Sequence, residues 1–152
     1  MKSRFSVRPF RSVDMDRILA VERAGFAEWA WDRKLFAEYA SICGDLFLVV
    51  ESEDKVVGYS ITCITRRLLR SRAELVSIAI LPSMRGKGAA NVLMASILRR
   101  LRVRGIPRIA LTVKETNARA RAFYEKYGFR RVRRVPRYYE DGEDGIQLQL
   151  DL

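Results

Sequence analysis

The stretch from Glu74 to Met94 constrains this chain most, because it places a strand, a sharp stop and a helix in one short run. Val76, Ile78 and Ile80 alternate with Leu75, Ser77 and Ala79, a mostly apolar pattern that suits a buried strand. Pro82 stops it. Arg85-Gly86-Lys87-Gly88-Ala89-Ala90 then turns into a helix whose Leu93, Met94, Ile97, Leu98 and Leu101 share one face. A helix start offers unpaired backbone N–H groups and a partial positive charge, which suit a phosphate. Gly86 and Gly88 allow close backbone approach, and Arg85 and Lys87 add full charges. A Walker loop would need Gly-Lys-Ser/Thr, and a dinucleotide fingerprint would need a third glycine where Asn91 stands. Taken alone, Gly-Lys-Gly before a helix fits a plain turn as well.

A chain of 152 residues suits one domain, 1–152, with a core of its own. No apolar run approaches the ~18 residues of a membrane helix, and Met1-Lys2-Ser3-Arg4 lacks a signal peptide's apolar stretch. The expectation is a cytoplasmic protein with no membrane partner. Cys43 and Cys63, in apolar surroundings without metal-ligand spacing, read as reduced core residues. Histidine is absent, which removes Ser-His and Cys-His hydrolase schemes and His-based zinc sites. Proton transfer is left to carboxylate, tyrosine, lysine, water or backbone. No metal is expected.

The net charge of +11 is unevenly spread: residues 66–137 hold 20 of the 29 Lys and Arg but only 3 of the 18 acids. Such a field attracts anions. It suits a solvated arginine-rich surface, coenzyme phosphates, or docking on ribosomal RNA, although no nucleic-acid motif accompanies it.

Phe5 to Pro9 reads as a first strand. Ser12, Asp14 and Asp16 open a helix that Gly25 closes, and Asp32 caps a second through Leu35, Phe36 and Tyr39. Leu46–Val50 and Val56–Thr65 form a hairpin ahead of the Glu74 strand. Arg108–Lys114 follows with Ile109, Leu111 and Val113 on one face. Asn117 caps a helix that runs to Tyr127 and closes at Gly128; Phe129–Val135 and Ile146–Leu150 are the last strands. The order βααβββαβαββ implies an α/β fold with one mixed sheet flanked by helices on both faces.

Arg-x-x-Gly-x-Ala at 85–90, after Ser-Ile-Ala-Ile, resembles the acetyl-coenzyme A signature of the GNAT acetyltransferases, and the element order is also theirs. Thr112-Val113-Lys114-Glu115-Thr116-Asn117, Ala122-Phe123-Tyr124-Glu125-Lys126-Tyr127-Gly128-Phe129 and Tyr138-Tyr139-Glu140-Asp141-Gly142-Glu143-Asp144 resemble phrases of the family's N-terminal (Nα) protein acetyltransferase branch. That likeness extends to the archaeal and eukaryotic catalytic subunits and to the bacterial ribosomal-protein enzyme.

The resemblance implies a GNAT fold in which pantetheine of acetyl-CoA slots between the strands 73–81 and 108–114. Ile78, Ala79 and Ile80 would hold it through main chain, and Arg85, Gly86, Lys87, Gly88, Ala89, Ala90 and Asn91 would hold the pyrophosphate. Asn117 would touch the pantetheine arm besides capping its helix. Tyr124 falls where the family places the general acid that protonates the leaving thiolate; read from spacing alone, it is a core aromatic.

The base is less defined. The bacterial enzyme carries Glu where this chain has Thr112, which cannot act as a base. The archaeal type has His at the position of Glu74 and a Glu in the first loop that Glu28 roughly matches. Glu74 working through a water is the first expectation and Glu28 the second, against a surface salt bridge of Glu74 with Arg72. Phe26, Glu28 and Trp29 on one side, with Tyr138 and Tyr139 on the other, would grip the first residues of a peptide. The implied activity is acetylation of protein N-termini, with ribosome association through the basic face. The alternatives are a lysine, polyamine or antibiotic acetyltransferase, or a non-catalytic coenzyme- or RNA-binding adaptor.

Overall fold

Alternating apolar runs and amphipathic stretches produce the expected order in the computed structural model, which describes residues 4–152, the side chain of Arg67 excepted. The strands are β1 (Phe5–Pro9), β2 (Phe47–Ser52), β3 (Lys55–Arg67), β4 (Arg70–Ile80), β5 (Arg108–Lys114), β6 (Arg130–Val135) and β7 (Gly145–Asp151). The helices are α1 (Met15–Phe26), α2 (Arg33–Cys43), α3 (Ala89–Val103) and α4 (Ala118–Lys126). They build one mixed sheet in the order β1-β2-β3-β4-β5-β7-β6. Every neighbouring pair is antiparallel except β4 with β5.

Both faces of the sheet are covered. One core cluster joins Leu75, Ile80, Leu93, Met94, Ile97, Ile109, Leu111 and Tyr124, so α3 and α4 lie together on that face. The other joins Ile18, Leu19, Phe36, Phe47, Tyr59 and Ile61 under α1 and α2. Asp32 caps α2 by accepting the N–H of Leu35 at 2.9 Å. Asn117 caps α4 by accepting the N–H of Ala120 at 3.1 Å. Asp14 is buried and accepts Arg8 twice at 2.8 Å, which holds its carboxyl below the usual range and pins the entrance to α1 against β1.

Three sequence expectations change. The β3–β4 hairpin is longer than its apolar pattern: arginines carry it out to Arg67 and Arg70, and Leu68 and Leu69 stand fully in solvent at its tip. α1 ends at Ala27, whose φ is 47°, rather than at Gly25. Cys43 and Cys63 are joined as a disulfide rather than remaining reduced thiols. The last turn of α2 lies over β3 and brings their Cα atoms to 4.8 Å, a closeness that a sequence separation of 20 conceals.

Gly58 is where β3 passes closest to its neighbours. A Cβ there would stand 2.5 Å from Ile80 Cδ1, 2.7 Å from the Ala79 carbonyl oxygen and 3.0 Å from Val50 Cγ1. The carbonyl belongs to the sheet ladder and cannot give way as a side chain tip can. Gly58→Ala is therefore expected to destabilise by about 1–3 kcal/mol, read as a lower Tm in thermal unfolding.

Candidate active site

The site starts from a break in the sheet. β4 and β5 share only two rungs, Ala73 with Ile109 and Glu74 with Ala110. Immediately after them, Ile61 of β3 pairs with Ser77 while Thr62 pairs with Leu75, so Val76 is an extra residue in β4. A bulge bends its strand and increases local twist, which carries Leu75–Ile80 away from β5 while β3 stays paired along the other edge. The bulge also overturns the simple alternation read from sequence. Leu75, Ile78 and Ile80 pack toward α3, whereas Val76 and Ala79 pack toward α1 and α2. Ile78, Ala79 and Ile80 thus lie along the open wedge.

Beyond β4 the chain reaches the glycine loop. Gly86 and Gly88 have φ of 75° and 97°, and a Cβ on Gly88 would meet nothing within 4 Å. Gly88 caps α3 without any side-chain bond, so the first N–H groups of Ala89, Ala90 and Asn91 remain free of intrahelical partners. Lys87 makes no ion pair among the described residues. Arg85 reaches toward α1, with Nη2 3.6 Å from where a Gly25 Cβ would lie, and Arg119 of α4 comes 3.9 Å from the equivalent point on Gly86. Open space, left-handed glycines, unspent N–H groups and unpaired cations fit a diphosphate. The side chain of Asn91 turns elsewhere: its Oδ1 accepts Tyr127 Oη at 2.7 Å, leaving only its main chain for the loop.

Tyr124 lies buried on the α3–α4 side of the wedge, with its ring edge-on to Phe123 and Phe129. Burial first, and neighbouring Tyr139 second, push its phenol well above the ordinary value. It stays a proton donor throughout the physiological range. Tyr139 comes from the loop between β6 and β7, and its hydroxyl donates to the Thr112 carbonyl at 3.2 Å. Burial raises its phenol to about 12. Its loop is braced by acids: Asp141 and Glu143 hold Lys114 at 2.5 and 3.1 Å, and Asp144 pairs with Arg134 and accepts the Arg137 N–H. Lys114 Nζ in turn lies 5.2 Å from the centre of the Tyr139 ring.

Glu74 is exposed at the last rung before the wedge, and forms no ion pair with Arg72 or any other described residue. Tyr39 of α2 senses it: burial chiefly, then the charge of Glu74, raise the Tyr39 phenol. Glu74 is thus near enough to Tyr39 for its charge to act through space. Tyr39 was read from sequence only as an apolar helix position; its stacking on Trp31 at 5.2 Å holds it at this mouth. Phe26, Trp29 and Tyr138 remain substantially exposed, as a peptide wall requires. Glu28 is exposed in the same turn as Trp29 and contacts neither Glu74 nor another described charge.

An N-alpha-acetyltransferase of Saccharolobus solfataricus is 32% identical over 157 residues, covering 97% of this chain and 93% of that protein. The crystal structure of the ribosomal-protein-S18-alanine N-acetyltransferase from Escherichia coli superposes with a TM-score of 0.83 at 26% identity, covering 97% of this chain and 93% of that one. Ard1 from Thermoplasma volcanium superposes with a TM-score of 0.90 at 22% identity, over 99% of both chains. Residues 15–129, which run from α1 to just beyond α4, match the Acetyltransferase (GNAT) family, and the chain belongs to it.

Proposed function

We propose that this enzyme moves the acetyl group of acetyl-CoA to the α-amine of protein N-termini. The observation that carries the reading is the parting of β4 from β5 at Glu74, with Tyr124 buried on one side of the wedge and an aromatic mouth on the other. The full-length likeness to proteins named N-alpha-acetyltransferase supports the substrate class.

In this reading the thioester supplies an activated acyl group, and the chain supplies position, charge and protons. The glycine loop at 85–90 takes the diphosphate, and the unpaired main chain of Leu75–Ile80 takes the pantetheine amides. The same free N–H groups face the carbonyl oxygen on which negative charge builds. Glu74, through a water, accepts the proton that the amine sheds, and Tyr124 gives one to the sulfur that leaves. The α-amine is an accessible nucleophile: with a pKa of about 7.8 it is roughly one-tenth neutral at pH 7, whereas a lysine at about 10.4 is neutral in well under a thousandth. A modest base therefore suffices for an N-terminus.

Glu74→Gln is expected to lower kcat by about 10²-fold without abolishing activity, since a tenth of the amine needs no base. Steady-state rates on one peptide across pH 6–9 check this, and the deficit should narrow as the pH rises past the amine's own pKa. The substrate test is acetylation of a peptide library with free or blocked N-termini, followed by mass-spectrometric localisation. Labelling of free termini alone is expected. Labelling confined to blocked, lysine-containing peptides would contradict the reading.

A further inference from the structure

A polar chain runs through the apolar cluster beneath α1 and α2. Glu22 of α1 is only 2% exposed, yet it carries a carboxyl group into the core. Its Oε1 accepts the Tyr59 hydroxyl at 2.6 Å, and its Oε2 accepts the backbone N–H of Trp31 at 2.9 Å. Tyr59 is fully buried on β3, and its phenol oxygen lies 2.9 Å from Ser77 Oγ on β4. Burial raises the Glu22 carboxyl above its ordinary value, and its two donors oppose that rise. Packing does not explain the arrangement, because an apolar side chain would fill the same space without the cost of a buried carboxylate.

What the chain achieves is a fixed direction for every proton in it. Each oxygen of the carboxylate already faces a donor, and a carboxylate donates nothing. Tyr59 has one proton and spends it on Glu22. At the remaining contact the phenol oxygen must therefore accept, and Ser77 must donate. The serine hydroxyl, ordinarily a free rotor, is held with its proton inward and its lone pairs outward. Ser77 is half-buried, directly after the Val76 bulge and three residues beyond Glu74. Its contact with Tyr59, a member of the cluster under α1 and α2, places its hydroxyl on that face. Any further partner of Ser77 thus meets an oxygen that can only accept.

We propose that Ser77 Oγ accepts a hydrogen bond from the substrate's amine and aims the nitrogen lone pair at the acyl carbon, with Glu22 and Tyr59 as positioning residues that set the direction of that bond. The proposal rests on the acetyl-transfer reading of this site and deepens it. No proton travels along the chain; the one released by the amine still leaves through the water beside Glu74. The same chain ties the Phe26–Trp31 segment to β4, because Glu22 holds Trp31 by its main chain.

Glu22→Gln is the diagnostic change, since glutamine keeps the shape and reverses the direction. Its carbonyl would accept from Trp31 and its amide would donate to Tyr59. The phenol would then donate to Ser77, whose own proton would turn outward toward the amine. Ser77→Ala, Glu22→Gln and Tyr59→Phe are each expected to lower kcat/KM for the amine about 10- to 100-fold, the scale of a hydrogen bond to a nitrogen that gains positive charge as it attacks. Acetyl-CoA affinity should hold in all three. In the Ser77→Ala background, Glu22→Gln should cost nothing further, because it acts only through the serine. Losses that multiply in the double variant, or a Ser77→Ala enzyme as fast as the parent, would overturn the proposal. Each assay is run on a free-N-terminus peptide and on a blocked lysine peptide. Parent activity on the lysine peptide alone sinks the N-terminal reading, while the effect of Ser77→Ala on whichever amine is accepted judges this one independently.

Discussion

Tyr124→Phe is expected to cut kcat by about 10²- to 10⁴-fold while Tm and both Michaelis constants stay near those of the parent. The ring packs edge-on against Phe123 and Phe129, and those contacts survive loss of the hydroxyl. What disappears is the buried phenol on the α3–α4 side of the wedge. Because burial lifts its pKa far above neutrality, the proton is present at every working pH. The acid limb is set by the substrate amine, and no alkaline loss from Tyr124 is expected across the working range. Stopped-flow release of thiol, compared with steady-state turnover, locates the deficit in the transfer step. A Phe variant with parental kcat would remove Tyr124 from the mechanism.

The second large effect concerns the glycine loop. Gly88→Val places a β-branched residue at φ 97°, a conformation that costs an L residue about 1–3 kcal/mol. The space around it is open, so the penalty is relieved by rotation of the backbone rather than by unfolding. That rotation turns away the N–H groups that begin α3, and with them the charge-assisted bonds available to a diphosphate. The Kd for coenzyme A should rise by about 10- to 100-fold, measured by calorimetry, with Tm lowered by only a few degrees. Gly86→Val, at φ 75°, should act likewise. Unchanged affinity in both variants would mean that the loop is a turn and nothing more.

How far the sequence leads depends on the range of the interactions involved. The element order and the caps at Asp32 and Asn117 are local, and the structure has them where side-chain patterns place them. The bulge at Val76 is a two-strand property. Nothing in Glu-Leu-Val-Ser-Ile announces that β3 will skip one residue, yet that skip opens the wedge. The disulfide needs α2 to lie across β3, and Tyr39 reaches the mouth only through its stacking on Trp31. Glu22 sits at an ordinary helical spacing, and its burial beneath Tyr59 appears only once α1 is docked on the sheet. Glycines, caps and paired aromatics are thus readable along the chain; the directions of buried protons are not.

A crystal structure of the enzyme with acetyl-CoA tests the central claim most directly. The account requires the diphosphate at residues 85–90, the pantetheine along Leu75–Ile80 where β5 has drawn away, and the sulfur beside the hydroxyl of Tyr124. A coenzyme held in any other crevice, or β4 and β5 zipped together beyond Glu74 with the donor shut out, would contradict it.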